Sequence, residues 1–155
     1  MPPRRLDEID RRILTELQRD SSRTNAELAR RVGLSASPCL ARVRQLERDG
    51  LVKGYVALLD PEALGLTISV FIQVTLDRQV EAALQTFEER MRAYPEVMEC
   101  YLMTGDSDYL VRLIVPDMAA LESFIVRELA TIPHVANIRS SFALKQVKYK
   151  TALPV

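Results

Sequence analysis

The chain has 155 residues, 48% of them apolar and 27% charged, with 5 glycines and 8 prolines; this is ordinary globular composition and excludes a disordered or collagen-like chain. Basic and acidic side chains balance at 21 each, but residues 1–53 carry 12 basic against 8 acidic groups and residues 54–155 carry 9 against 13, an asymmetry that suits a basic nucleic-acid-binding part joined to something else. The longest uncharged apolar stretch, Leu64 to Leu76, is broken by Thr67, Ser69, Gln73 and Thr75 and is shorter than the roughly 18 residues of a membrane span, so no transmembrane helix is expected.

In chain order, MPPRRLDEIDRR runs into charged sequence without the apolar core of a secretory signal, which predicts a cytoplasmic protein with no membrane partner. Asp7 is a good N-cap, and Ile9, Ile13, Leu14 and Leu17 recur at three- and four-residue steps, predicting an amphipathic helix. Thr24-Asn25-Ala26-Glu27 has the form of a capping box, with Leu28, Ala29 and Val32 as the buried stripe of a second helix that Gly33 ends. Ser35 or Ser37 caps a third helix with Pro38 in its first turn, and Asp49-Gly50 stops it.

Two short helices around Val32-Gly33-Leu34 predict a helix-turn-helix, whose second helix enters the major groove. At about 100° per residue, Cys39, Leu40, Val43 and Leu46 share one face of the third helix, which must be the core. Ser37, Ala41, Arg44, Gln45 and Arg48 point the other way and Arg42 lies on the flank. Small residues followed by arginines suit a groove reader, because short side chains permit close approach and Arg grips guanine edges or phosphate. An Arg-rich face that is merely solvated is the alternative.

Leu51 to Leu59 is strand-like until Asp60-Pro61, so residues 54–64 are expected to form a β linker between a 1–53 domain and a 65–155 domain. From Leu66 to Leu76 the apolar residues alternate as in a strand with one buried face. Val80, Leu84, Phe87, Met91 and Tyr94 then recur at helical steps before Pro95. Val97–Met103 and Tyr109–Val115 read as strands around the turn Gly105-Asp106-Ser107-Asp108. A helix from Asp117, with Leu121, Ile125, Leu129 and Ile132 inward, precedes a last strand through Val135 to Val147.

The order βαββαβ predicts an α+β ferredoxin-like sandwich with two helices on one face of an antiparallel sheet. Phe71, Tyr101, Leu102, Phe142 and Leu144 are assigned to its other face, and a partner subunit is the economical cover, so a homodimer is expected. Two widely separated cysteines and a single histidine, His134, form no disulfide framework, metal cluster or catalytic triad. Neither enzyme chemistry nor a bound metal or cofactor is expected.

The whole chain resembles the Lrp/AsnC family of transcriptional regulators: LDEIDRRILTELQRDSSRTNAELARRVGLSASPCLARVRQLERDGLVKGYVALLDP is similar to the family's winged helix-turn-helix domain, and ECYLMTGDSDYLVRLIVPDM to its effector-domain signature. The resemblance implies a regulator that binds double-stranded DNA in response to a free amino acid, with dimers that often assemble to octamers. It implies a DNA-binding motif from Asn25 to Arg44, and with the exposed face of the third helix this gives expected DNA contacts from Asn25, Ser35, Ser37, Pro38, Arg42, Arg44 and Arg48. It also implies an effector site near Met103, Thr104, Gly105, Asp106, Asp108 and Tyr109. Physically, Asp106 and Asp108 would accept from an effector's ammonium group and turn amides would donate to its carboxylate; aspartates that only stabilise a turn are the alternative. An effector-blind architectural protein that bridges or wraps DNA remains open beside the regulator.

Overall fold

The computed structural model describes residues 5–155, so the first residues of the N-terminal stretch lie outside it. Two compact units are present, one comprising the chain up to Leu58 together with Val147–Val155, the other Leu59–Gln146. This differs from the expected division at 53 and 64, because the last nine residues return to the first unit.

The first unit holds α1 (Glu8–Arg19), α2 (Asn25–Val32) and α3 (Ala36–Arg48). Asp7 caps α1 through a reciprocal box with Asp10, accepting from its N–H at 2.8 Å. Thr24 and Glu27 do the same for α2, where Glu27 accepts from the Thr24 N–H at 2.9 Å. Gly33 follows at φ 76°, the left-handed conformation glycine adopts without a Cβ penalty, and this sets the turn into α3. Ser35 stands at the α3 N-cap, but its hydroxyl makes no capping bond.

Ile13, Leu14, Leu28, Ala29, Val32, Cys39 and Leu46 form the core of this unit; burying each of the larger side chains contributes about 1.5–3 kcal/mol. Leu40 was expected among them and is instead 37% exposed. Four residues separate Cys39 from Val43 and three separate Val43 from Leu46, so the seam passes beside Leu40 rather than through it.

After α3 the expected β linker is not a strand: residues 53–60 carry no strand hydrogen bonds. A strand exists only with a partner to pair with, and among the described residues no other segment is paired with this one.

The second unit has β1 (Ile68–Leu76), α4 (Glu81–Ala93), β2 (Val97–Leu102), β3 (Tyr109–Val115), α5 (Met118–Ser123) and β4 (Val135–Phe142). The sheet is antiparallel with strand order β2-β3-β1-β4. α5 continues as a π-helical turn, Phe124–Glu128, and a 3-10 turn, Leu129–Thr131. That irregularity turns Phe124 into the core and leaves the expected Ile125 only half-buried. β4 ends at Phe142, short of the expected Val147.

Val70, Ile72, Val74 and Leu76 of β1 and Tyr109, Val111, Leu113 and Val115 of β3 face the helices and are buried. Leu102 pairs with Tyr109 and Phe142 with Val70, so both stand on the helix-covered side, at its edges, and not on the opposite face where they were expected. Period-two alternation makes the register decisive here. The opposite face presents Phe71, Leu110, Ile114 and Tyr101 with Arg112 among them, and Glu99 pairs with Arg112 at 3.1 Å. No helix among the described residues is long and apolar enough to cross a membrane.

Candidate functional site

On the first unit the exposed face of α3 carries Ser37, Pro38, Ala41, Arg44 and Arg48. Arg44 is exposed and makes no ion pair among the described residues. Arg48 donates to Gln45 Oε1 at 2.5 Å, and Gln45 in turn donates to Asp49 Oδ1 at 2.6 Å. A chain of surface hydrogen bonds of this kind holds the guanidinium loosely, since water replaces each bond at little cost.

Two residues expected to touch DNA are occupied inside the unit. Asn25 donates through Nδ2 to the Ala36 carbonyl at 2.7 Å, so it ties the start of α2 to the start of α3. Its Oδ1 is buried without a hydrogen-bond partner. Arg42 turns back to α1, where its Nη1 donates to Asp7 Oδ2 at 2.6 Å and to Asp10 Oδ1 at 2.9 Å. The Asp7 carboxyl is held below the ordinary carboxylate range, chiefly by the Asp10 backbone N–H and then by Arg42.

A charged rim that sequence reasoning passed over lies at the α1–α2 junction, around a cavity of about 680 Å³ bordered by Arg23, Arg30 and Arg31 and by Asp20 and Glu27. Glu16 pairs with Arg19, Arg23 and Arg31 at 2.9, 2.9 and 3.4 Å, which neutralises much of that rim. Arg30 is left exposed at its edge.

On the second unit the β2–β3 turn projects Met103, Thr104, Gly105 and Asp106 into solvent. The Met103 N–H donates to the Asp108 carbonyl at 2.8 Å and closes the turn, with Gly105 at φ 120°. Asp108 is 6% exposed and both its oxygens are engaged: Oδ2 accepts from the Leu76 N–H at 2.7 Å and Oδ1 from Gln79 Nε2 at 2.6 Å. It therefore joins the turn to the end of β1. Tyr109 is likewise buried, its ring 4.4 Å from that of Phe87 and its hydroxyl donating to Glu88 at 3.0 Å. Burial raises the pKa of that phenol well above its ordinary value, and the Glu88 carboxylate raises it further. Of the six expected effector residues, Met103, Thr104, Gly105 and Asp106 are exposed at the turn, and Asp108 and Tyr109 are buried beneath it.

A groove of about 400 Å³ between α4 and β2, bordered by Met91, Met98, Cys100 and Leu102, begins where Leu102 and Tyr109 bracket the turn. Two of its charged groups satisfy each other: Arg92 pairs with Glu88 at 2.9 Å. Burial pushes the Cys100 thiol up to about 11, so it offers no thiolate at neutral pH. The groove draws on a helix and a strand far apart in sequence, and no short motif announces it. Among the described residues no group of three or more His, Cys, Asp or Glu side chains is placed to hold a metal ion.

Comparison with known proteins matches residues 69–153 to the Lrp/AsnC ligand binding domain and residues 6–53 to a winged helix-turn-helix DNA-binding domain. The chain is 46% identical to a Bkd operon transcriptional regulator of Pseudomonas aeruginosa over 97% of its length and 98% of that protein. It is 42% identical to the leucine-responsive regulatory protein of Escherichia coli, over 99% and 94%. Among solved structures, a transcriptional regulator of Neisseria meningitidis in complex with L-methionine superposes with a TM-score of 0.92 at 42% identity, covering 97% of both chains. An AsnC family regulator of Agrobacterium tumefaciens gives 0.91 at 42%, covering 96% of this chain and 97% of its own. With a helix-turn-helix ahead of that ligand-binding domain and relatives matched nearly end to end, the chain belongs to the Lrp/AsnC family of transcriptional regulators.

Proposed function

We propose that this regulator binds double-stranded DNA through the exposed face of α3 and that a free amino acid, received at the β2–β3 turn, modulates that binding. The observation that carries the effector reading is the turn itself. Asp106 stands exposed and free of ion pairs among the described residues, beside Gly105 in a backbone conformation that keeps side-chain bulk away. A carboxylate next to open amides matches the two ends of a zwitterion. Support for an apolar amino acid comes from the relatives, of which one is named leucine-responsive and another was solved with L-methionine.

The DNA contacts in this reading come from Ser35, Ser37, Pro38, Arg44 and Arg48. Two copies associate through the uncovered sheet face, where Phe71, Leu110, Ile114 and Tyr101 would otherwise meet water. Such a dimer carries two recognition helices for successive major grooves, larger assemblies of dimers follow the family pattern, and the protein works in the cytoplasm alongside the chromosome.

The test is a thermal-shift panel of the protein against the twenty amino acids, repeated on Asp106→Ala. A ligand at 100 times its dissociation constant stabilises by about 2.7 kcal/mol, which at roughly 2–4 °C per kcal/mol shifts the melt by several degrees. A shift confined to a few amino acids and lost in Asp106→Ala is expected. A flat panel from a protein whose melting temperature DNA still raises would overturn the effector reading in favour of an architectural role.

A further inference from the structure

Arg42 lies in the middle of α3, yet its guanidinium points away from the exposed face and spans to α1. A single nitrogen, Nη1, donates to two carboxylates, Asp7 Oδ2 at 2.6 Å and Asp10 Oδ1 at 2.9 Å. The Asp10 side chain is 1% exposed, whereas those of Asp7 and Arg42 are 53% and 32% exposed. The bond to Asp10 is thus shielded from water, and charge-assisted bonds strengthen as the local dielectric falls. The two acids are also the N-cap and third residue of α1, locked to each other by the capping box. Arg42 therefore grips a rigid corner.

A second tether acts six residues earlier, where Asn25 Nδ2 holds the Ala36 carbonyl at the first residue of α3. The apolar contact of α3 is a single seam: Cys39 and Leu46 are fully buried and Val43 packs against the same core. A bond that lies off such a seam resists rotation of the helix about it, and the Arg42 clasp is placed to do so.

We propose that Arg42 is a positioning residue, which sets the rotation of α3 against α1 and so aims the α3 arginines at DNA, and that it does not itself contact DNA. This rests on the reading of α3 as the recognition helix. Loss of the clasp should lower affinity for the preferred sequence without changing the number of phosphates engaged, because no phosphate contact is removed.

The experiment uses the full-length protein and a duplex enriched by the wild type from a random pool, with a scrambled duplex of the same length as reference. Dissociation constants are measured between 50 and 200 mM salt, at a temperature where circular dichroism shows each variant folded. Arg42→Met should bind the enriched duplex about tenfold more weakly, bind the scrambled duplex as the wild type does, and keep the wild-type salt slope. Arg44→Gln, by contrast, should reduce the slope by about 0.9, the loss of one phosphate contact. Should Arg42→Met fail to fold, Asp7→Asn keeps an N-cap and removes one carboxylate of the clasp, and the same selective weakening is expected with smaller amplitude.

A salt slope reduced by about 0.9 in Arg42→Met would make Arg42 a DNA contact and overturn the proposal. Equal weakening on both duplexes, or none, would overturn it as well. If the wild type enriches no sequence from the pool, the recognition-helix reading fails first, and that outcome is visible before any variant is made.

Discussion

Gln18 holds Leu153 by both ends of its side-chain amide, donating from Nε2 to the carbonyl at 3.1 Å and accepting at Oε1 from the N–H at 2.6 Å. The residues are 135 positions apart, and this pair fastens the C-terminal segment to α1. A backbone N–H and C=O satisfied by one carboxamide mimics the pairing a strand would provide. Gln18→Ala should release the segment: residues 147–155 should become protease-sensitive, while the melting temperature falls by only a few degrees, since exposed hydrogen bonds contribute about 0.5–1.5 kcal/mol each. Limited proteolysis followed by mass spectrometry reads the result.

The two aspartates of the turn should separate cleanly. Asp108→Ala leaves the Leu76 N–H without its acceptor in a buried site and should destabilise by about 1–3 kcal/mol. Asp106→Ala removes an exposed side chain and should stay within about 0.5 kcal/mol of the wild type. Urea denaturation of both variants measures the contrast. Equal stability of the two would mean that Asp108 does not anchor the turn.

Neither thiol should react readily in the native protein. Cys39 is fully buried, and desolvation raises its pKa, while that of Cys100 is pushed up to about 11. Because the thiolate is the reactive species, alkylation by iodoacetamide at pH 7.5 should be slow for both and accelerate sharply in urea. Rapid native labelling of Cys100 would contradict the burial that raises its value.

The Arg42 clasp implies an acid limb. Asp7 has its folded-state value lowered beneath the ordinary 3.8, first by the Asp10 N–H and then by Arg42. A depressed carboxyl stabilises the fold above the unfolded value and loses that contribution as pH falls through the folded one. Stability should thus decline below about pH 4, and Asp7→Asn should flatten that part of the profile. Melting temperatures taken at half-unit steps from pH 6 to pH 3 test this.

At the alkaline end the sign reverses. Tyr55 donates to Glu47 at 2.8 Å and is raised to about 12, chiefly by desolvation and then by Glu47, and Tyr109 is shifted in the same direction. A phenol whose folded value is raised stabilises the fold below its unfolded value of about 10 and loses that contribution as pH climbs. Ultraviolet titration should find at least two of the 5 tyrosines still protonated at pH 11, and Tyr109→Phe should remove one of them.

Local grammar carried much of the architecture in the sequence. Asp7, Thr24 and Gly33 are legible as helix boundaries because caps act over three or four residues, and the alternation from Ile68 to Leu76 marks a half-buried strand because its period is two. The whole-chain resemblance supplied the family, and with it the turn and the recognition helix as regions of interest. What only the tertiary structure decided is where each polar side chain goes. Arg42, Asn25, Asp108 and Tyr109 all sit in the expected regions, yet each is bonded to a residue at least 11 positions away. Leu102 and Phe142 changed face because register depends on the partner strand, and residues 53–60 formed no strand because a ladder needs a second chain segment to pair with. Helix caps and periodicity are set by neighbours a few residues away, whereas a long polar side chain chooses among partners that folding alone brings within reach.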